Sequence, residues 1–360
     1  MTAISPARPV AATAAPRTGW QPVQYLALVG VALAVLEVWT WASWLAAGPR
    51  PVTQWRDSAD PSWYAARVYE GLMALAVIGV SVAVVRGVHR ERRLTLDAMM
   101  VIGGASTLFW DPMVNWLQPN FLYSSNWLNL NTWVCHVPAI PNPDGCAVPQ
   151  PVFIMFIYPF GLVLFAMGLT RLMSWMRGRW PGMSTFRLVS STFVVAGLIC
   201  VALEGPMFLL HLWALPGAPA EFALFGDAHR FAWAEYLTTT LVFGLLGVLR
   251  YFRDDKGRSI VERNLSHLTP GRRALTSVFA TIAYMNGTLI LLIACQVIPG
   301  MHAAPYPKEY PAHLVNGLCD AGPFTGTRYG PCPGSPGFRV PLQGSLPLGP
   351  VEPTVTGAGS

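Results

Sequence analysis

The sequence predicts an all-helical, polytopic integral membrane protein of about seven transmembrane helices, with its N-terminus inside and its C-terminus outside. Three observations carry that expectation. Apolar residues make up 53% of the chain and charged residues 12%, against roughly 45–50% and 25% in soluble domains. Seven apolar stretches approach the roughly 20 residues that a spanning helix needs. Arg and Lys concentrate in alternate turns between those stretches, as cytoplasmic loops require.

The stretches run at about 23–47, 64–85, 95–118, 151–176, 186–213, 230–252 and 274–298. The first is too long for a signal-peptide core of roughly 7–15 residues and contains Glu37, so it reads as a retained span. The turn 86–94 holds Arg86, Arg90, Arg92 and Arg93, and the turn near 177–187 holds Arg177, Arg179 and Arg187. The turn 250–273 is richer still, while the loops 119–150 and 214–229 contain neither Arg nor Lys. The net charge of +6 is therefore membrane topology. A nucleic-acid partner would need a basic folded face, and none is visible; the expected surroundings are the lipid bilayer of the cell membrane.

The chain divides into a disordered Ala/Pro/Thr-rich tail at 1–21, one transmembrane domain at 22–300, and an extracytoplasmic Pro/Gly-rich tail at 301–360. No internal repeat and no soluble second domain are visible. The loop 119–150 is long for a compact protein and is a candidate lid. Cys135 and Cys146 lie in that loop, and Cys319 and Cys332 lie in the outer tail. On an oxidising side these four suggest up to two disulfides, with 135–146 and 319–332 favoured by proximity alone. Cys200 and Cys295 fall within spans. No Cys or His spacing suggests a metal, and no cofactor is expected.

The stretch "FWDPMVNWLQPNF", residues 109–121, places an acid, a proline and an amide at the outer end of the third span. Such groups are costly in lipid and mark functional positions. Asp97 at the cytoplasmic start of that span reads as a helix cap. Because residues before proline avoid helical geometry, Asp111 is expected to end one helix and cap a short second one, with Asn115 one turn on. Glu204 lies beside a second breaker, Gly205-Pro206, and His211, seven residues on, is expected on the same helix face. Glu70 and Glu235 sit near the outer starts of the second and sixth spans, Glu37 two thirds along the first, and Asn286 near the middle of the seventh.

Each residue also has a plainer role. Glu37, Glu70 and Glu235 could reach the outer interface, His211 could be a satisfied interfacial histidine, and Asn286 could bond a neighbouring helix. Trp110 and Trp116 could belong to the interfacial aromatic belt. Asp111 and Glu204 resist such roles best. Together the polar groups describe an acid-rich pocket that opens outward. In it, one carboxyl held protonated could donate a proton while an ionised neighbour accepts one. That chemistry suits cofactor-free closure or dehydration of a lipophilic small molecule.

The stretches "FWDPMVNWLQPNFLYSSNWLNLNTWVCHVPAIPNPDG", "ALEGPMFLLHLWALPG" and "VLRYFRDDKGRSIVER" resemble the AveC-type spirocyclase family of actinobacterial membrane proteins. The resemblance runs from about the first span to the last. It implies spiroketal formation from a dihydroxyketone in polyketide biosynthesis, with dehydration of the product in some members. It supplies no catalytic set, so Asp111 and Glu204 rest on the residues themselves. Two other classes stay open: a membrane terpene or meroterpenoid cyclase, for which Phe109, Trp110 and Trp116 would steady a carbocation, and a non-enzymatic proton-coupled transporter or structural membrane protein.

Overall fold

A computed structural model describes residues 19–51, 60–113, 122–138, 149–215, 218–226, 229–300 and 313–314. Each of the seven apolar stretches carries a helix: α1 Pro22–Ala47, α2 Pro61–Glu91, α3 Leu96–Thr107, α4 Val152–Arg179, α5 Thr185–Leu209, α6 Trp233–Tyr251 and α7 Pro270–Gly300. Five are long and apolar enough to cross a membrane: α1, α2, α4, α5 and α7. The other two are shorter. At 12 residues, α3 rises only about 18 Å, and it tightens into a 3-10 turn at Leu108–Trp110. α6 carries Glu235 in its first turn and Arg250 in its last.

Local chemistry sets the ends. The Asp60 carboxylate accepts from the Ser62 amide at 2.8 Å to start α2, and Arg92, at φ 52°, stops it. Thr95, not Asp97, caps α3 by accepting from Ala98. Asp97 instead receives a two-pronged bond from Arg250 at 2.8 and 2.9 Å, a geometry that suits guanidinium and carboxylate. At the same end of the bundle, buried Glu262 takes Arg93 and Arg253, each at 3.2 Å.

Two glycines allow close helix approach. A side chain at Gly30 of α1 would overlap the Phe279 backbone of α7, and one at Gly104 of α3 would overlap the Tyr158 carbonyl. The second contact matters most, because Tyr158 lies in a π-helical turn, Ile157–Gly161, inside α4. Such turns rotate side chains out of the regular helical sequence and recur at functional positions.

The loops at the opposite end form a built roof. Strand β1 (Leu122–Tyr123) pairs antiparallel with β4 (Trp213–Ala214), and β2 (Asn129–Asn131) pairs with β3 (Pro149–Pro151). Trp127 and Trp133 are fully buried. Trp127 donates to the Leu212 carbonyl at 2.7 Å, and Trp133 to that of Phe109 at 3.1 Å. The described part of the expected lid is thus a hydrogen-bonded, aromatic-filled cover, tied down by main-chain pairing to a distant loop. Cys135 is disulfide-bonded. Cys146, Cys319 and Cys332 lie outside the described residues, while Cys200 and Cys295 are free.

Candidate active site

Beneath the roof, a chamber of about 120 Å³ is walled by residues from α4, α5, α6 and α7. Its polar lining is Asp111, Tyr123, Tyr158, Glu204, Glu235 and Thr239. By liquid volume it holds about four waters or a small polar head group.

Asp111 sits just past the 3-10 turn with right-handed backbone angles, φ −55° and ψ −53°. The expected cap geometry is therefore absent: its backbone is helical, and its side chain turns to the roof and to α4. Tyr158 donates to one carboxyl oxygen at 2.7 Å and Gln150 to the other at 2.7 Å. The Tyr123 hydroxyl lies 3.1 Å from both. Three donors from three segments thus converge on one buried carboxyl, with no Arg or Lys among its described partners. An ionised carboxylate is acceptor-only and offers about four lone-pair positions, so this cage fits a carboxylate.

Glu204 and Glu235 face the same chamber from α5 and α6. Glu235 is buried and accepts from Thr239 one turn on at 2.9 Å. Glu204 stays partly accessible. The helix runs through Pro206 to Leu209, and because proline has no N–H, the Ala202 carbonyl lacks its usual helical partner.

The remaining polar residues separate from this site. Glu37 does not reach the interface: it is 1% exposed and accepts from the Ser106 hydroxyl. Ser106 in turn accepts from Asn286 at 2.7 Å, and Asn286 accepts from the Trp110 indole at 2.5 Å. This chain stitches α1, α3 and α7, so Glu37 is an internal helix-to-helix bond. Glu70 pairs with Arg67 at 3.0 Å and accepts from the Leu128 amide at 3.0 Å. It therefore has a matching cation and anchors the roof. Phe109 is core, packed edge-on to Trp41. Asn115 and Trp116 lie outside the described residues.

His211 leaves the expected face of α5, because the helix has ended and its own φ is 52°. It stacks on His229 with ring centres 4.2 Å apart and lies 6.2 Å from His313. Burial, reinforced by those two rings, pushes its imidazole down to about 4.

Tyr123, Gln150, Tyr158 and Thr239 do not stand out in the sequence as site residues. Tyr158 carries the clearest signal of the four, a Tyr-Pro pair inside an apolar span. Tyr123 and Gln150 carry none, since only the roof's strand pairing brings them over Asp111. A family model described as "Spirocyclase AveC-like" matches residues 91–315. No curated protein and no solved structure matches the chain. The matched segment holds every polar residue of the chamber, whereas Glu37 and Glu70 precede it. The chain belongs to the AveC-like spirocyclase family.

Proposed function

We propose that this chain is a membrane-embedded, cofactor-independent cyclase that closes a spiroketal from a lipophilic dihydroxyketone. The observation that carries the proposal is the Asp111 cage: a buried carboxylate held by Tyr123, Gln150 and Tyr158, facing two further carboxyls across one small chamber. One hydroxyl of the substrate adds to its ketone to give a hemiketal. Glu204, in its neutral form, protonates the hemiketal hydroxyl, and water leaves. The resulting oxocarbenium ion lies near the Asp111 carboxylate. The second hydroxyl attacks that carbon, and its proton passes to Asp111. One water is released for each spiroketal formed. A later proton transfer returns Asp111 and Glu204 to their starting states.

Asp111 takes the acceptor's role because its carboxyl is already supplied with three donors, and Glu204, partly accessible, takes the acid's. General acid–base help of this kind contributes roughly 10²–10⁴-fold. The chamber also holds one folded conformer, which fixes the stereochemistry. Dehydration of the product would use the same pair. Trp213 and Phe243 in the chamber wall also favour a second reading, cyclisation through a carbocation.

The alternation of Arg-rich turns supports a roof on the extracytoplasmic side of the cell membrane. The test is the lipid extract of a deletion strain compared with wild type. Accumulation of an uncyclised hydroxyketone supports the spirocyclase reading. Accumulation of a linear polyene supports carbocation chemistry instead.

A further inference from the structure

A second cavity, about 530 Å³ in volume, lies between α2, α4 and α5. Its walls are almost wholly apolar. It shares Ile157, Leu162, Glu204, Trp213 and Phe243 with the chamber, so Glu204 stands at the junction of the two. Its outer rim carries Leu72, Leu164 and Leu203, all at least 47% exposed, and its inner wall carries Phe153, Cys200 and Met207, all at most 5% exposed. Two of the rim residues sit well inside their helices: Leu72 lies eleven residues into α2 and Leu164 twelve into α4. At 1.5 Å per residue that is about 16–18 Å below the roof end, within a hydrocarbon layer roughly 30 Å thick. The cavity opens sideways into lipid.

Its shape narrows the occupant. Along α4 the lining runs from Phe153 to Leu169, a rise of about 24 Å. That length and the apolar lining suit the hydrocarbon part of a lipophilic molecule, and the junction at Glu204 brings its polar end to the carboxyls of the chamber. We infer that this cleft admits the substrate from the bilayer and holds its apolar hydrocarbon part, presenting the oxygenated head to Glu204 and Asp111. The inference rests on the cyclase reading for its head group and adds where the rest of the substrate lies and its route: an apolar part entering through the α2–α4–α5 side.

The test uses the full chain in phosphatidylcholine nanodiscs with two photoreactive probes. One is a linear long-chain alcohol with a diazirine near its terminus; the other is a phosphatidylcholine with the same group in an acyl chain. The alcohol should label Phe153, Cys200 and Met207, and the phospholipid should label the rim. Gly168 lines the cleft, and a Cβ there would meet nothing within 4 Å, so Gly168→Phe starts a bulky side chain into the cleft from an unobstructed position. Losing burial of about two methylenes corresponds to roughly tenfold weaker inner-wall labelling. Gly79→Phe, equally unobstructed but away from the cleft, should leave labelling unchanged.

Labelling by the alcohol at the rim alone in the wild-type chain, a result that needs no variant, overturns the inference. So does equal inner-wall labelling by both probes, which would make the cleft a site for ordinary lipid. Asp111→Asn should label normally. Inner-wall labelling without turnover of any ketodiol would sink the cyclase reading and leave the cleft. Turnover without inner-wall labelling would do the reverse.

Discussion

Replacing Asp111 with Asn changes one oxygen into an NH₂ group and leaves the size of the side chain almost unaltered. The cage makes the consequence calculable. Gln150 and Tyr158 donate to different oxygens at 2.7 Å, with Tyr123 between them. Asn has one acceptor oxygen, so it keeps only one of the two close donations: turned toward Gln150 its NH₂ faces another donor, and turned toward Tyr158 it donates to the hydroxyl oxygen and leaves that hydroxyl's own proton without its acceptor. A buried donor left unpaired costs about 1–3 kcal/mol, and the variant should lose about that much stability while keeping its fold. Turnover per folded molecule should drop further, by roughly 10²-fold or more, because the proposed proton acceptor is gone. The assay pairs a thermal melt in detergent with turnover of a ketodiol in membranes, normalised to folded protein. A second substitution separates the two effects. Adding Gln150→Glu to Asp111→Asn offers the introduced amide an acceptor and should recover part of the stability without recovering turnover. Wild-type turnover in Asp111→Asn would remove this residue from catalysis and leave its cage as a structural feature.

Other expectations follow from the same geometry. Glu204→Gln should retain its melting temperature and lose roughly 10²-fold in kcat, since it removes the proposed acid from a partly accessible position; unchanged kcat would exclude it. Glu37→Gln keeps an acceptor for the Ser106 hydroxyl, so turnover should stay within a few-fold of wild type, and a catalytic collapse would place Glu37 in the chemistry. His211 is neutral when folded down to about pH 4, while an unfolded histidine titrates near 6.5. The folded state should therefore lose stability as pH falls from about 6.5 toward 4, with no such loss above 6.5. His211→Asn, which tolerates the positive φ, should flatten the melting temperature between pH 7 and pH 5, and an unchanged acid sensitivity would place its source elsewhere. A reporter fused after Arg258 should be active in the cytoplasm and one at Asp144 outside it, and a reversed pair would invert the membrane orientation.

The helices of the apolar stretches were legible because lipid imposes a simple rule: a long apolar stretch with no unsatisfied backbone reads as a helix. Asp111 and Glu204 were legible for the converse reason, as acids with no evident cation beside helix breakers. What failed was inference of partners from position along one helix. Glu37 was expected at the interface, but Ser106 and Asn286, from two other helices, bury it. Glu70 looked uncompensated until its neighbour Arg67 turned toward it. His211 follows a helix that ends two residues earlier, so the seven-residue spacing to Glu204 does not keep a common face. The cage itself was illegible. Tyr123 reaches Asp111 through a strand pairing with Trp213, far along the chain, Gln150 through one with Leu130 inside the roof, and Tyr158 through a π-turn seated against Gly104. Tyrosines at span ends ordinarily read as interfacial aromatics.

The most direct measurement of the central claim is the reaction itself, followed with purified protein in liposomes and a synthetic long-chain dihydroxyketone. A cyclase of this design should release one water per product and give a single spiroketal stereoisomer, at a rate that falls roughly 10²-fold in Asp111→Asn. Product that forms at the rate of protein-free liposomes, as a mixture of stereoisomers and indifferent to that substitution, would contradict it.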